Sequence, residues 1–182
     1  MKAQSSPLST PPKYALQGGI HRRTESAILE GTKNLIALHG VSHISMIDIA
    51  DASEVSRATL YNHYRDKNAV LEALVESEIH KLVELAQGAG TPADSLETLS
   101  RIISADPALA AMREHDAALL ITIMSHAENP LYLVLAQCLY EATKSEAGTG
   151  LAMRWLLGQV MQPISPKQSR EQAELLVERT LF

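Results

Sequence analysis

Arg57, Thr59 and Asn62 lie close together and carry the groups that read base edges in duplex DNA. A guanidinium takes guanine through two parallel hydrogen bonds, a carboxamide takes adenine, and a threonine methyl touches thymine. Tyr61, His63 and Lys67 suit phosphate oxygens. Lys67 has the added advantage of a helix N-terminus, whose free amides favour anions. Ser45, Ser56 and Ala58 complete the candidate DNA-facing set.

These side chains share a surface only if short helices hold them. Ser45, followed three residues on by Asp48, resembles a capping box with Asp in the place of Glu. Ile44, Ile47, Ala50 and Val55 are the expected packing positions of that first helix. Ser56 caps the next, in which Leu60 and Tyr64 stand four apart on an inward face. Arg57, Thr59, Asn62 and His63 must then point outward or sideways. A third helix starts at Asp66-Lys67. Helix, tight turn and helix make a helix-turn-helix, which fits its second helix into the major groove. The bland alternative is a helical cluster with a solvated polar face; for Leu60, Tyr64, Ile47 and Ala50 a core role is expected in either case. Arg22 and Arg23 read equally well as phosphate contacts or as a solvated basic pair.

From Asp48 to Lys67 the chain reads D-I-A-x-A-x-x-V-S-x-x-T-L-Y-x-H-Y-x-x-K, which resembles the DNA-binding signature of the TetR family of bacterial transcriptional regulators. Upstream, a helix from about Thr24 to Leu38, a stop at His39-Gly40 and the lead-in Val41 to Ile44 agree, so the resemblance spans roughly residues 22 to 75. One position departs from it. The family usually has Gly in the turn, whereas this chain has Ser53-Glu54, and a non-Gly residue at positive φ costs on the order of 1 kcal/mol.

The resemblance implies an all-α protein, with an N-terminal three-helix helix-turn-helix domain over 20–66 and a helical regulatory and dimerisation domain over 67–182. It implies a homodimer paired through the last two helices, for which Leu151, Trp155, Leu156, Val160, Leu175, Leu176 and Arg179 are candidates. The partner would be double-stranded DNA with a palindromic operator, because a twofold pair of recognition helices reads half-sites about 34 Å apart. It also implies a small-molecule effector site in the second domain. Met112, His115, Leu119, Ile123, Tyr132 and Trp155 are candidate lining residues, with Met124, His126 and Cys138 nearby. Each reads at least as well as ordinary core or surface. His115 and His126 could share a helix face, but no Cys or carboxylate stands at ligand spacing, so no metal and no cofactor is expected.

Composition sets the frame. The net charge of −5 argues against general nucleic-acid binding, but its distribution is uneven. Residues 1–70 hold eight Lys/Arg against six Asp/Glu, while residues 71–182 hold eight against fifteen. The basic part should face DNA and the acidic part stand away from it. Residues 1–19, rich in Ser, Pro and Gly, read as a mobile N-terminal arm. No apolar run is long enough to span a bilayer, no signal-peptide core is visible, and the single cysteine excludes an intrachain disulfide, so a cytoplasmic protein is expected.

Beyond Asp66 the spacing predicts helices only: a long lever to about Ala86, then helices over about 93–104, from Asp106-Pro107 to His126, and from Asn129-Pro130 to Lys144. A break at Ala147-Gly148-Thr149-Gly150 and two final helices, about 150–161 and 166–180, complete the pattern. An enzyme is the competing class, but there is no Gly-rich phosphate loop, no nucleophile elbow and no persuasive carboxylate pair. A second alternative keeps the DNA-binding domain and lets a partner protein, rather than a small molecule, address the C-terminal half.

Overall fold

The computed structural model describes residues 13–125 and 130–180, and every regular element among them is a helix. The first four are α1 (Lys13–His39), α2 (Met46–Ala52), α3 (Arg57–His63) and α4 (Lys67–Gln87). They are followed by α5 (Pro92–Ala105), α6 (Pro107–His115), α7 (Ala117–Ser125), α8 (Pro130–Thr143), α9 (Glu146–Met161) and α10 (Pro166–Thr180). No single helix among the described residues is long and apolar enough to cross a membrane.

Local chemistry sets most boundaries. Side-chain oxygens of Ser45, Ser56, Asp66, Thr91, Asp106 and Ser145 each accept a backbone N–H in the first turn of the helix that follows. At Ser45 the capping box is complete, with Asp48 returning a bond to the Ser45 backbone. The end of α2 is a Schellman turn: Val55 N–H donates to Ala50 O at 3.1 Å and Glu54 N–H to Asp51 O at 3.2 Å. That motif needs a left-handed residue, and Glu54 supplies it at φ 54°. The strain expected at Ser53-Glu54 is therefore located at Glu54. Glu54→Gly should stabilise the protein by about 0.5–1 kcal/mol, part of the relief being offset by a more flexible unfolded chain. A thermal midpoint that failed to rise by ~2 °C would count against the strain.

Two apolar clusters hold the fold. The first gathers Ile28, Ile36, Ile49, Leu60, Val70 and Met112, among others, and the second Leu96, Leu99, Leu139, Leu156 and Ala173. Burying each large aliphatic side chain contributes about 1.5–3 kcal/mol. The clusters do not divide at residue 66. Val70 and Leu74 of α4 belong to the first and Val83 and Ala86 to the second, while α6 lies along α1 and lends Ala108 and Met112 to the first. The helix-turn-helix is thus built against α4 and α6, and the boundary in packing falls midway along α4.

Several expectations need correction. Ile47 is 45% exposed, and Ile49, on the opposite side of α2, is the fully buried residue. The reason is the contact with α1, which Ile49 and Ala50 face. Helix α1 begins at Lys13, so residues 13–19, assigned to an arm, are helical; residues 1–12 of that arm lie outside the described residues. The single helix expected after Asp106 is two, broken at Asp116, and His126 lies outside the described residues. Gly148 and Gly150 do not break the chain but lie inside α9. The break falls earlier, where Lys144 turns left-handed at φ 51° and Ser145 caps the new helix.

Candidate nucleic-acid interface

Helix α3 is seven residues long, too short to stand on its own, and two side chains fix it. Leu60 is fully buried, and Tyr64, just past the helix end, is nearly so. The Tyr64 hydroxyl donates to Glu25 of α1 at 3.3 Å, and burial, with that carboxylate second, pushes its pKa up to about 12. With one side pinned, the other is free: Arg57, Ala58, Tyr61 and Asn62 are exposed, Tyr61 at 56%. Thr59 is half-buried, its Oγ1 2.8 Å from Ser56 Oγ, so its hydroxyl is held by the cap and its methyl remains as the group to offer.

His63 and Lys67 are placed differently from the rest of the set. The His63 ring stacks on His21 of α1, centroids 4.2 Å apart and planes within 17°. Burial first, and the nearby His21 second, lower its pKa against the pull of Glu25, so the ring is neutral near pH 7. Any bond it makes to phosphate is then that of a neutral N–H. Lys67 turns inward at the start of α4, its Nζ donating to Val41 O at 3.1 Å and to Ile44 O at 3.0 Å. It ties the α1–α2 loop to α4. Ser45 is exposed, but its hydroxyl donates to Asp48 at 2.6 Å, and the same serine holds the Asp48 carboxyl below its usual range.

His21 was not visible as a partner in the sequence, because only folding brings α1 against α3. The same holds for Lys33 of α1, whose ammonium lies 2.7 Å from Asp106 of α6 and also pairs with Glu78 of α4. Asp116 fell inside the single helix expected from Asp106-Pro107 to His126, so nothing in the sequence marked it. Arg22 and Arg23 are exposed near the His21–His63 stack.

The six candidate effector residues do not form one wall. Met112 is buried in the first cluster, whereas Trp155 packs on the second and donates to Gln172 at 2.6 Å. His115, Leu119 and Ile123 are exposed, and the Tyr132 hydroxyl donates to Met124 O at 3.2 Å. Of the candidate pairing residues, Leu156 is fully buried within the chain, but Leu151 and Leu175 are 57% and 51% exposed on α9 and α10. The side chain of Arg179 lies outside the described residues.

Residues 28–74 match the family described as bacterial regulatory proteins, tetR family. An uncharacterized HTH-type transcriptional regulator of Bacillus subtilis (strain 168), YxbF, is 29% identical over 91 residues, 50% of this chain and 24% of that protein. An uncharacterized HTH-type transcriptional regulator of Mycobacterium tuberculosis (strain CDC 1551 / Oshkosh) is 33% identical over 101 residues, 50% of either chain. The chain thus spans half or less of the curated relatives it matches, all of which are named as regulators rather than enzymes. Among solved structures, the TetR family repressor AlkX from Dietzia sp. aligns with a TM-score of 0.61 at 21% identity, over 86% of this chain and 95% of that one. The fatty acid degradation regulator FadR from Bacillus halodurans aligns with a TM-score of 0.62 at 17% identity, over 84% and 94%. At these identities the likeness is one of fold.

Proposed function

We propose that, by its helix-turn-helix domain, residues 28–74, the chain is a member of the TetR family of bacterial transcriptional regulators. On that premise we propose that it is a cytoplasmic, homodimeric repressor that binds a palindromic operator and is released by a small molecule. The observation that carries the reading is the free outer face of α3, where Arg57, Tyr61 and Asn62 stand clear while Leu60 and Tyr64 anchor the opposite face. Arg57 and Asn62 read bases, Tyr61 and His63 take backbone phosphate, and Ser45, Ser56, Ala58 and Thr59 lie along the same approach. The excess of basic residues in 1–70 over acidic ones supplies a local attraction that the whole-chain charge opposes.

Lys67 we assign to holding the loop rather than to DNA. Lys67→Ala should cost about 1.5–3 kcal/mol of stability, the value of charge-assisted hydrogen bonds, and leave the salt slope of DNA binding unchanged. A slope lower by one phosphate's worth would return Lys67 to the interface.

Pairing through α9 and α10 is supported by the exposed Leu151 and Leu175, and a twofold dimer matches a twofold site. Sedimentation of the protein on the shortest duplex it retains should give two chains per duplex; a single chain bound as tightly would overturn the dimer. Release by an effector requires about 5.5 kcal/mol of differential affinity to shift the population from 99:1 to 1:99. A partner protein as the signal is the second reading, favoured by Leu133 and Tyr140, large apolar side chains exposed on one shallow face of α8 and α9. The effector's chemistry and the regulated genes are open to screening once an operator is known.

A further inference from the structure

We propose that Asp116, in the second domain at the junction of α6 and α7, is a positioning residue for DNA recognition, holding across the domain boundary the loop that launches the helix-turn-helix. The proposal rests on the DNA-binding reading above. It assigns a role to a residue outside residues 28–74.

Asp116 is only 5% exposed, and its carboxylate is spent entirely on the loop between α1 and α2. One oxygen accepts the Val41 N–H at 2.6 Å; the other accepts the Ser42 N–H at 3.1 Å and the Ser42 hydroxyl. A buried carboxylate without partners would be costly; with three donors it is a fixed anchor. Burial pushes this carboxyl upward, but the Ser42 hydroxyl and the two amides, with His43 nearby, outweigh it and hold the pKa below the usual carboxylate range. The anchor is therefore charged at neutral pH.

The fit leaves no slack. Gly40 enters the loop at φ 73°, and a Cβ built there would lie 2.5 Å from Asp116 Oδ2 and 3.0 Å from His115 Cβ. Only glycine satisfies both the backbone and the space. The opposite side of the same peptide segment is also held: the Val41 N–H goes to Asp116, while the Val41 carbonyl accepts from Lys67 at the start of α4. Loop residues 40–44 are thus held between the α6–α7 junction and the start of α4, and Ser45, the cap of α2, follows immediately.

The other end of α6 makes a matching grip. Asp106, its N-cap, pairs with Lys33 of α1 at 2.7 Å. Both ends of α6 therefore hold α1 or the loop that leads from it to α2. Asp116 also sits in both helices' hydrogen bonding, its N–H donating to Met112 O and its carbonyl accepting from Leu120 N–H. The direction of α7 is thereby tied to the same anchor.

The test uses full-length protein, a duplex recovered by selection, and a temperature at which circular dichroism finds every variant fully folded. Asp116→Ala should bind the duplex at least tenfold more weakly with an unchanged salt slope, because the residue touches no phosphate, and should exchange the Val41 and Ser42 amides faster. Asp116→Asn, whose one carboxamide oxygen can accept from only one of the two amides while its NH2 faces the other donor, should recover only part of the affinity. Ser42→Ala, which removes one donor and leaves the fold least disturbed, should weaken binding about threefold. Folded Asp116→Ala that binds as the parent does overturns this proposal alone, as does Ser42→Ala at parental affinity if Asp116→Ala fails to fold. A parent chain that binds no duplex, or that binds equally well as Arg57→Ala, overturns the DNA-binding reading and this proposal with it.

Discussion

Arg57→Ala lowers affinity for the specific duplex by about 1–3 kcal/mol, roughly 5- to 150-fold, and relaxes preference at one position in each half-site. The expectation follows from where the residue stands. Arg57 is the first residue of α3 and is exposed, so its truncation removes a guanidinium and disturbs no buried packing. A stability change beyond about 0.5 kcal/mol would be out of place for such a surface site. Asn62→Ala should behave similarly at a different base pair. Competition binding against duplexes varied one base pair at a time separates base reading from phosphate contact. A uniform loss across all sequences would make Arg57 a phosphate ligand instead.

Gly31→Val should destabilise the protein by about 1–3 kcal/mol. Gly31 is buried where α1 and α2 touch, and a Cβ there would lie 2.5 Å from Ser53 Oγ and 3.0 Å from Ala52 O. The serine hydroxyl can rotate, but the carbonyl belongs to the last turn of α2 and cannot move alone. Valine gains some helix propensity over glycine and loses more by forcing α2 outward. Because Ile49 and Ala50 are buried from that same helix, the displacement also opens the first cluster. Denaturant unfolding measures the loss, and DNA binding should fall with it. A variant as stable as its parent would mean that the helices can separate there without cost.

The sequence was most legible where chemistry is local. Ser45, Ser56 and Asp66 announce helix starts because a capping oxygen acts within three residues, and Glu54 announces strain because its turn requires positive φ. The outward set on α3 could be read because Leu60 and Tyr64 fix the inward face at four-residue spacing. Tertiary context was not legible. Ile47 and Ile49 are equally apolar, and only the position of α1 decides which is buried. Gly148 and Gly150 carry the composition of a break, yet Lys144 and Ser145 supply the break earlier and the helix runs through both glycines. Lys67 carried the charge expected of a phosphate ligand, but two loop carbonyls lie within its reach. Of the candidate effector residues, Met112, His115, Leu119 and Ile123 were expected on one helix, and the bend at Asp116 divides them between α6 and α7.

On the reading above, the free face of α3 reads a twofold DNA site. This is tested most directly by incubating the purified protein with fragmented genomic DNA, sequencing what is retained, and repeating the selection with Arg57→Ala. The parent chain should enrich fragments sharing a palindrome with half-sites about one helical turn apart, and the variant should lose them. Absence of any enriched sequence, or a palindrome retained equally by Arg57→Ala, would contradict that reading.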